Sequence, residues 1–227
     1  MLTRVTITGA DDRVAPSALV ELSARFPWVE WGILFSPKRT GTPRYPTTEW
    51  VCSLEREAVT TKMHLAAHFC GVCTRETLAG DPKWLAGKER FARVQLNGYV
   101  PPAPVLVEMA QLRLGAWPEF ILQVCDEASL QAAAHDAAAL GPASALYDPS
   151  GGRGIEAFRW PRAPLGLRLG YAGGIKPSTV EEVLRDIGPV DHEFWIDCES
   201  GVRTDDALDL DLVLAMLKKT APFVVVS

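Results

Sequence analysis

The sequence predicts an α/β protein: one closed (β/α)8 barrel, the TIM barrel, with residues 1–227 forming a single domain. Three observations point there. Eight short β-branched runs alternate with stretches of helical periodicity along the chain. Spread over 227 residues they give about 28 residues per repeat, the size of one strand, one helix and two turns. Hydrophobic residues make up 48% of the chain and charged residues 22%, a balance that suits a large core and excludes a disordered chain.

The first run, Val5–Gly9, precedes a helix opened by Pro16 and Ser17, whose apolar stripe of Leu19, Val20 and Leu22 is closed by Pro27. Runs follow at Trp28–Phe35, Met63–Gly71 and Phe91–Asn97, and Pro101-Pro102 reads as a strand-to-helix turn. The fifth run, Glu119–Val124, leads into alanine-rich Glu127–Leu140, which ends at Gly141-Pro142. Ala143–Asp148 and Leu167–Ala172 come next. Ser178-Thr179-Val180-Glu181 has the Ser-x-x-Glu spacing of a capping box, predicting a helix from about Ser178 to about Ile187. Phe194–Cys198 is the eighth run. Strands alternating with helices imply a parallel sheet with helices outside, and eight of them close into a barrel.

Charge and targeting narrow the function classes. Lysine and arginine number 23 against 28 aspartates and glutamates, a formal net charge of −5, which leaves no footprint for nucleic acid. The start, MLTRVTITGADDR, is too polar for a signal peptide, and no run approaches the roughly 18 apolar residues of a membrane span. Cys52, Cys70, Cys73, Cys125 and Cys198 are odd in number and scattered, the pattern of reduced thiols in a cytoplasm. The expected partner is a small metabolite, with neither nucleic acid nor membrane involved.

A barrel of this kind works at the carboxyl ends of its strands, which here are Thr8, Ser36, Cys70, Asn97, Val124, Asp148, Gly173 and Asp197. Two turns carry glycine: Tyr171-Ala172-Gly173-Gly174-Ile175 after the seventh run and Glu199-Ser200-Gly201-Val202 after the eighth. Glycines let backbone N–H groups approach a phosphate, and the loops after strands seven and eight are the usual phosphate site. This makes the barrel one of the phosphate-binding type, with Gly173, Gly174, Ser200 and Gly201 as donors; the alternative is that Gly-Gly serves a tight turn. Asp148 and Asp197 end the sixth and eighth runs and are candidates for an acid–base pair whose pKa values are driven apart. Their alternative role is to accept hydrogen bonds from loop amides.

The chain resembles phosphoribosylanthranilate isomerase. The resemblance runs nearly end to end on Ile7-Thr8-Gly9, Gly32-Ile33-Leu34-Phe35-Ser36-Pro37-Lys38 with Arg44-Tyr45, and Val94-Gln95-Leu96-Asn97-Gly98. It continues through Leu146-Tyr147-Asp148 with Gly151-Gly152-Arg153-Gly154 and Phe158-Arg159-Trp160, then Ala172-Gly173-Gly174-Ile175 and Asp197-Cys198-Glu199-Ser200-Gly201-Val202. It implies substrate contacts at Thr8, Arg44, Gln95 and Asn97, phosphate contacts that include Gly152, and no cofactor. It also implies an Amadori rearrangement run by a cysteine after strand one and an aspartate after strand six. Asp148 matches that aspartate. Thr8 stands where the cysteine belongs, and a threonine hydroxyl does not ionise near neutral pH, whereas a thiol with an ordinary pKa of about 8.5 can be tuned to do so. Asn97 replaces the family's histidine. These departures predict a different substrate or a lost activity. Arg44 matches the arginine implied to bind a carboxylate; the alternative is a solvent-facing loop charge.

His68 and Cys70 share parity on the third run, and Cys73 completes a Cys-x-x-Cys. One such pair lacks the second pair a zinc site needs, and a histidine on an apolar strand usually packs, so no metal site is expected. Three readings result: an acid–base isomerase acting on a small phosphorylated sugar-like metabolite, a non-catalytic paralogue that binds a phosphorylated ligand, and a redox or metal protein built on Cys70, Cys73 and His68.

Overall fold

The computed structural model describes residues 1–100, 102–105, 108, 118–141, 143–154, 157, 159–190 and 192–225. All eight runs form strands: β1 Leu2–Thr8, β2 Val29–Phe35, β3 His64–Phe69, β4 Arg93–Leu96, β5 Glu119–Val124, β6 Ala143–Tyr147, β7 Arg168–Tyr171 and β8 Phe194–Cys198. They pair in chain order into a closed barrel, sealed by β1 lying parallel to β8 with Val5 opposite Ile196. Among the described residues the helices are α1 Pro16–Arg25, α2 Thr48–Thr60, α3 Val72–Leu78, α4 Glu127–Leu140, α5 Val180–Ile187 and α6 Leu210–Thr220. A two-stranded hairpin, β9 Arg203–Thr204 with β10 Ala207–Leu208, follows β8. No helix among the described residues is long and apolar enough to cross a membrane.

Local chemistry explains most element ends. Pro16 sits at the first position of α1, where its missing N–H costs nothing. Asp126 caps α4, accepting from the Ser129 amide at 2.7 Å, while the Ser129 hydroxyl accepts from the Asp126 amide at 3.2 Å. The box expected at Ser178 and Glu181 does not form. Helix α5 begins at Val180 with Thr179, not Ser178, at its N-cap and no side-chain cap, and the Lys176 carbonyl accepts from the amides of Thr179 and Val180 at 3.0 Å each. Pro101, Pro142 and Phe158, which carried parts of the sequence reading, lie outside the described residues.

Successive strand residues alternate between two different environments. The outward set, including Ile7, Trp31, Ile33, Phe69, Leu96, Phe120, Leu169 and Ile196, packs with Leu19, Leu54, Leu130, Val180 and Met216 of the helices. The inward set is largely polar: Thr6, Thr8, Glu30, His68, Arg93, Gln95, Ser144 and Asp197 are all buried. Among the described residues Ile121, Leu146, Ala172 and Trp195 form an apolar cluster there. A β-carbon on Gly170 would lie 2.1 Å from Trp195 Cε2, so the indole rests against that glycine. Below it Arg93 pairs with Glu30 at 2.9 Å, Thr6 donates to the same carboxylate at 2.9 Å, and the guanidinium sits 4.1 Å from the Trp195 ring centroid. Charges buried this deeply persist when they are paired and hydrogen-bonded.

Candidate functional site

The carboxyl-terminal mouth of the barrel opens into a polar cavity of about 120 Å³ lined by Thr8, Arg44, His68, Gln95, Asn97, Asp148, Gly173, Gly174, Asp197 and Ser200, among others. A second cavity of about 430 Å³, bordered by Tyr45, Cys70, Tyr99 and Cys125, adjoins it through Arg44, Asn97, Gln123, Asp148, Gly152 and Glu199. Together they form one mouth with a tight polar side under β7 and β8 and a roomier side over β3 to β5.

Asp197, near the end of β8, is buried at the base of the tight side. Thr8, one residue pair away across the β1–β8 seam, donates its hydroxyl to Asp197 Oδ1 at 2.7 Å. Burial lifts the Asp197 carboxyl to about 8, with the negative charges of Glu199 and Asp148 adding to the rise and the Thr8 hydrogen bond opposing it. A carboxyl so placed is protonated at neutral pH and lies close to the value a proton-transfer group needs. His68, on β3, is almost fully buried, and burial followed by the nearby Arg93 charge depresses it to about 3, so the imidazole is neutral. Room for it comes from Gly32 on the neighbouring strand: a β-carbon there would lie 2.3 Å from Thr8 Oγ1 and 2.7 Å from His68 Cε1.

Asp148 follows β6 and anchors the loop after it. Its carboxylate accepts from Gln123 Nε2 at 3.0 Å, from the Ser150 amide at 3.1 Å and hydroxyl at 2.7 Å, and from the Gly152 amide at 2.5 Å. Gly152 therefore spends its N–H on Asp148. Ser150 in turn accepts from the amides of Arg153 and Gly154 at 3.1 and 3.0 Å. Arg153 reaches the cavity with its Nε donating to the Ser150 carbonyl at 2.7 Å, and its guanidinium keeps further donors for a ligand. Across the mouth, Gly173 and Gly174 adopt φ of 116° and 65°, and among the described residues neither amide has an acceptor. Gly201 lies behind them. A β-carbon there would lie 2.1 Å from the Ile175 carbonyl oxygen, so this glycine lets the β7 and β8 loops close on one another.

The opposite rim is stitched by charge. Arg44 pairs with Glu199 at 2.7 Å and Asp206 at 2.7 Å, and its amide donates to Asp11 Oδ2 at 2.7 Å while its backbone holds φ at 74°, unusual outside glycine. Burial would lift Asp11, but hydrogen bonds from Arg13 and the Arg44 amide hold it at about 2. Arg203 donates to the Gly9 carbonyl at 2.6 Å and faces Asp11 at 3.4 Å. Burial pushes Glu199 up, and Arg44 pulls it back.

Of the residues singled out from sequence, Thr8, Arg44, Gln95, Asn97, Asp148, Asp197, Gly152, Gly173, Gly174 and Ser200 all line the tight cavity, and Gly201 does not. Asn97 bridges Gln95 and Cys70, accepting from Gln95 Nε2 at 2.7 Å and donating to Cys70 Sγ at 3.1 Å. Burial raises the Cys70 thiol against that bond and a second one from Tyr45. Cys73 faces the other way, into an apolar space between β2, α2 and α3, so the Cys-x-x-Cys does not converge on one point. Sequence reading gave His68 a part only in the redox or metal alternative with Cys70 and Cys73, and assigned no role to Gln123, Ser150 or Glu199. His68 and Gln123 carry a signal in retrospect, since both are polar residues at inward positions of otherwise apolar strands.

No family model and no curated protein sequence matches this chain. Solved structures do. The phosphoribosylanthranilate isomerase of Pyrococcus furiosus superposes with a TM-score of 0.57 at 15% identity, covering 97% of this chain and 99% of that one. Its counterpart from Thermococcus kodakaraensis gives 0.57 at 16%, over 96% and 98%. What they share with this chain is the fold. A truncated 3-deoxy-D-arabino-heptulosonate 7-phosphate synthase from Thermotoga maritima gives 0.62 at 13%, over 98% and 86%. The resemblance read from the motifs and the likeness in three dimensions thus lead to the same barrel.

Proposed function

We propose that the barrel mouth binds a small phosphorylated, sugar-like metabolite and moves a proton on it, as an acid–base isomerase whose reaction differs from the Amadori rearrangement. The observation that carries this reading is Asp197: a carboxyl with its pKa raised to about 8, oriented by Thr8 at 2.7 Å and facing a cavity. Proton transfer by such a group contributes roughly 10²–10⁴ in rate. Asp148 is the second carboxylate of the pair, its orientation fixed by four hydrogen bonds and its negative charge helping Asp197 keep its proton. Phosphate is held by the amides of Gly173 and Gly174, which have no acceptor among the described residues, with the Ser200 hydroxyl and Arg153, a set of donors and positive charge suited to a dianion. Thr8, Gln95 and Asn97 contact the rest of the ligand. The five free thiols support a cytoplasmic setting.

One observation favours the second reading, a paralogue that binds without turnover: Arg44 is already committed to Glu199 and Asp206. Two measurements separate the readings. Calorimetric titration with inorganic phosphate should give binding heat in the wild type and none in Gly174→Val; equal affinity in both removes the phosphate site. Incubation of ribose 5-phosphate with the protein in D2O should give deuterium wash-in beside the carbonyl that Asp197→Asn abolishes. Binding without wash-in favours the paralogue.

A further inference from the structure

We propose that His68 and Gln95 form a buried subsite on the floor of the mouth that takes an uncharged hydroxyl of the ligand. Both nitrogens of the His68 ring and Oε1 of Gln95 are buried without a hydrogen-bond partner among the described residues, and both side chains line the tight cavity. Buried polar groups left this way are rare, and several converging on one cavity mark a place where a ligand completes them. This inference deepens the phosphorylated-metabolite reading and rests on it.

The chemistry of the missing group follows from what the floor offers. A neutral imidazole presents one N–H donor and one lone pair. The Gln95 amide is orientationally fixed, because its Nε2 donates to Asn97 Oδ1 at 2.7 Å and Asn97 in turn donates to Cys70 Sγ at 3.1 Å. The Cys70 thiol donates to the His68 carbonyl at 3.9 Å and therefore accepts from Asn97; with Asn97 so oriented, turning Gln95 over would press two amide oxygens together, and its oxygen faces the cavity. The floor therefore shows two acceptors and one donor. A carboxylate or phosphate would meet lone pairs there, and an ammonium would meet the positive field of Arg93, which already acts on His68. The two ring nitrogens point apart, so one hydroxyl meets one of them; accepting from His68 and donating to Gln95 Oε1, an uncharged hydroxyl matches. Gly32 keeps the space open, since any side chain at that position would overlap both Thr8 and His68.

The test compares two probes, inorganic phosphate and ribose 5-phosphate, on the intact protein. Wild type should bind ribose 5-phosphate at least about 10-fold more tightly than phosphate, and His68→Leu should lose that advantage while its phosphate affinity stays unchanged. ¹⁵N spectra of the wild-type histidines supply a readout independent of any variant. The His68 ring nitrogens should carry the shifts of a neutral imidazole and move with ribose 5-phosphate but not with phosphate. An advantage that survives in His68→Leu, or ring nitrogens that ignore ribose 5-phosphate, overturns the subsite while leaving the phosphate site standing. If neither probe binds the wild type, the phosphate reading falls and this assignment falls with it.

Discussion

Replacing Asp197 by asparagine should make the protein's stability less sensitive to alkali. The folded chain holds this carboxyl at about 8, against an ordinary 3.8. Between those values the native state keeps a proton that the unfolded chain has lost, so stability declines as pH rises through the window and the decline ends above the folded value. Asparagine retains the oxygen that accepts from Thr8 and imitates the protonated acid, so the two proteins should be similar only below the ordinary 3.8, and at pH ~6.5 the wild type should already be the less stable of the two. From there to pH ~8.5 the wild type should lose about 2 kcal/mol relative to Asp197→Asn. The comparison cancels His68, whose depressed pKa acts with the opposite sign and withdraws stability only as pH falls below its ordinary 6.5. Stopping at pH ~8.5 keeps clear of Cys198, whose buried thiol is raised above its ordinary 9.0. Urea denaturation at the two pH values gives the free energies, with equal m-values certifying a common unfolding reaction. Parallel losses in the two proteins would mean that Asp197 is ionised in the folded state, and its role as a proton donor would go with it.

Three further perturbations address other parts of the structure. Gly32→Ala should cost about 1–3 kcal/mol by chemical denaturation, since the new methyl must displace Thr8 and His68; a neutral result would show that the floor has slack. Arg93→Met leaves the buried Glu30, among the described residues, with only the 4.0 Å ionic contact to Arg4 and should cost about 3–5 kcal/mol, whereas adding Glu30→Met should recover most of that loss; a double variant as unstable as the single one would refute the pairing account. A strain lacking phosphoribosylanthranilate isomerase should not grow on the unmodified protein, because Thr8 supplies no ionisable group, and Thr8→Cys should restore slow growth through Asp148. Robust growth with the wild-type gene would show that another residue supplies the base.

The barrel was legible because its strands are short, β-branched and evenly spaced, and because a parallel sheet buries both faces of every strand. The runs at Glu119–Val124 and Phe194–Cys198 and the helix Glu127–Leu140 have the same limits in sequence and in structure. The box at Ser178 misled because the helix starts at Val180, which puts Thr179 and not Ser178 at the N-cap and takes Glu181 out of the third position. At the site, Thr8, Asp148 and Asp197 could be found from strand ends alone, since chain position there fixes location. Arg44 illustrates what sequence could not disclose: its partners Glu199 and Asp206 lie 155 and 162 residues away. His68 is similar, as its significance depends on a glycine facing it from another strand.

The paired charges inside the lumen also bear on how the barrel assembles. Strand register has a period of two, so sliding β2 or β4 by one residue would turn Glu30 or Arg93 outward against the apolar undersides of the helices. An ordinary aliphatic lumen tolerates such a slip with a loss of packing; this one would strand an ionised side chain in hydrocarbon and leave its partner unmatched on the axis. One-residue slips are thereby penalised by charge as well as by shape, which favours the alignment seen, with Glu30 beside His64 across β2–β3 and Ala66 beside Arg93 across β3–β4.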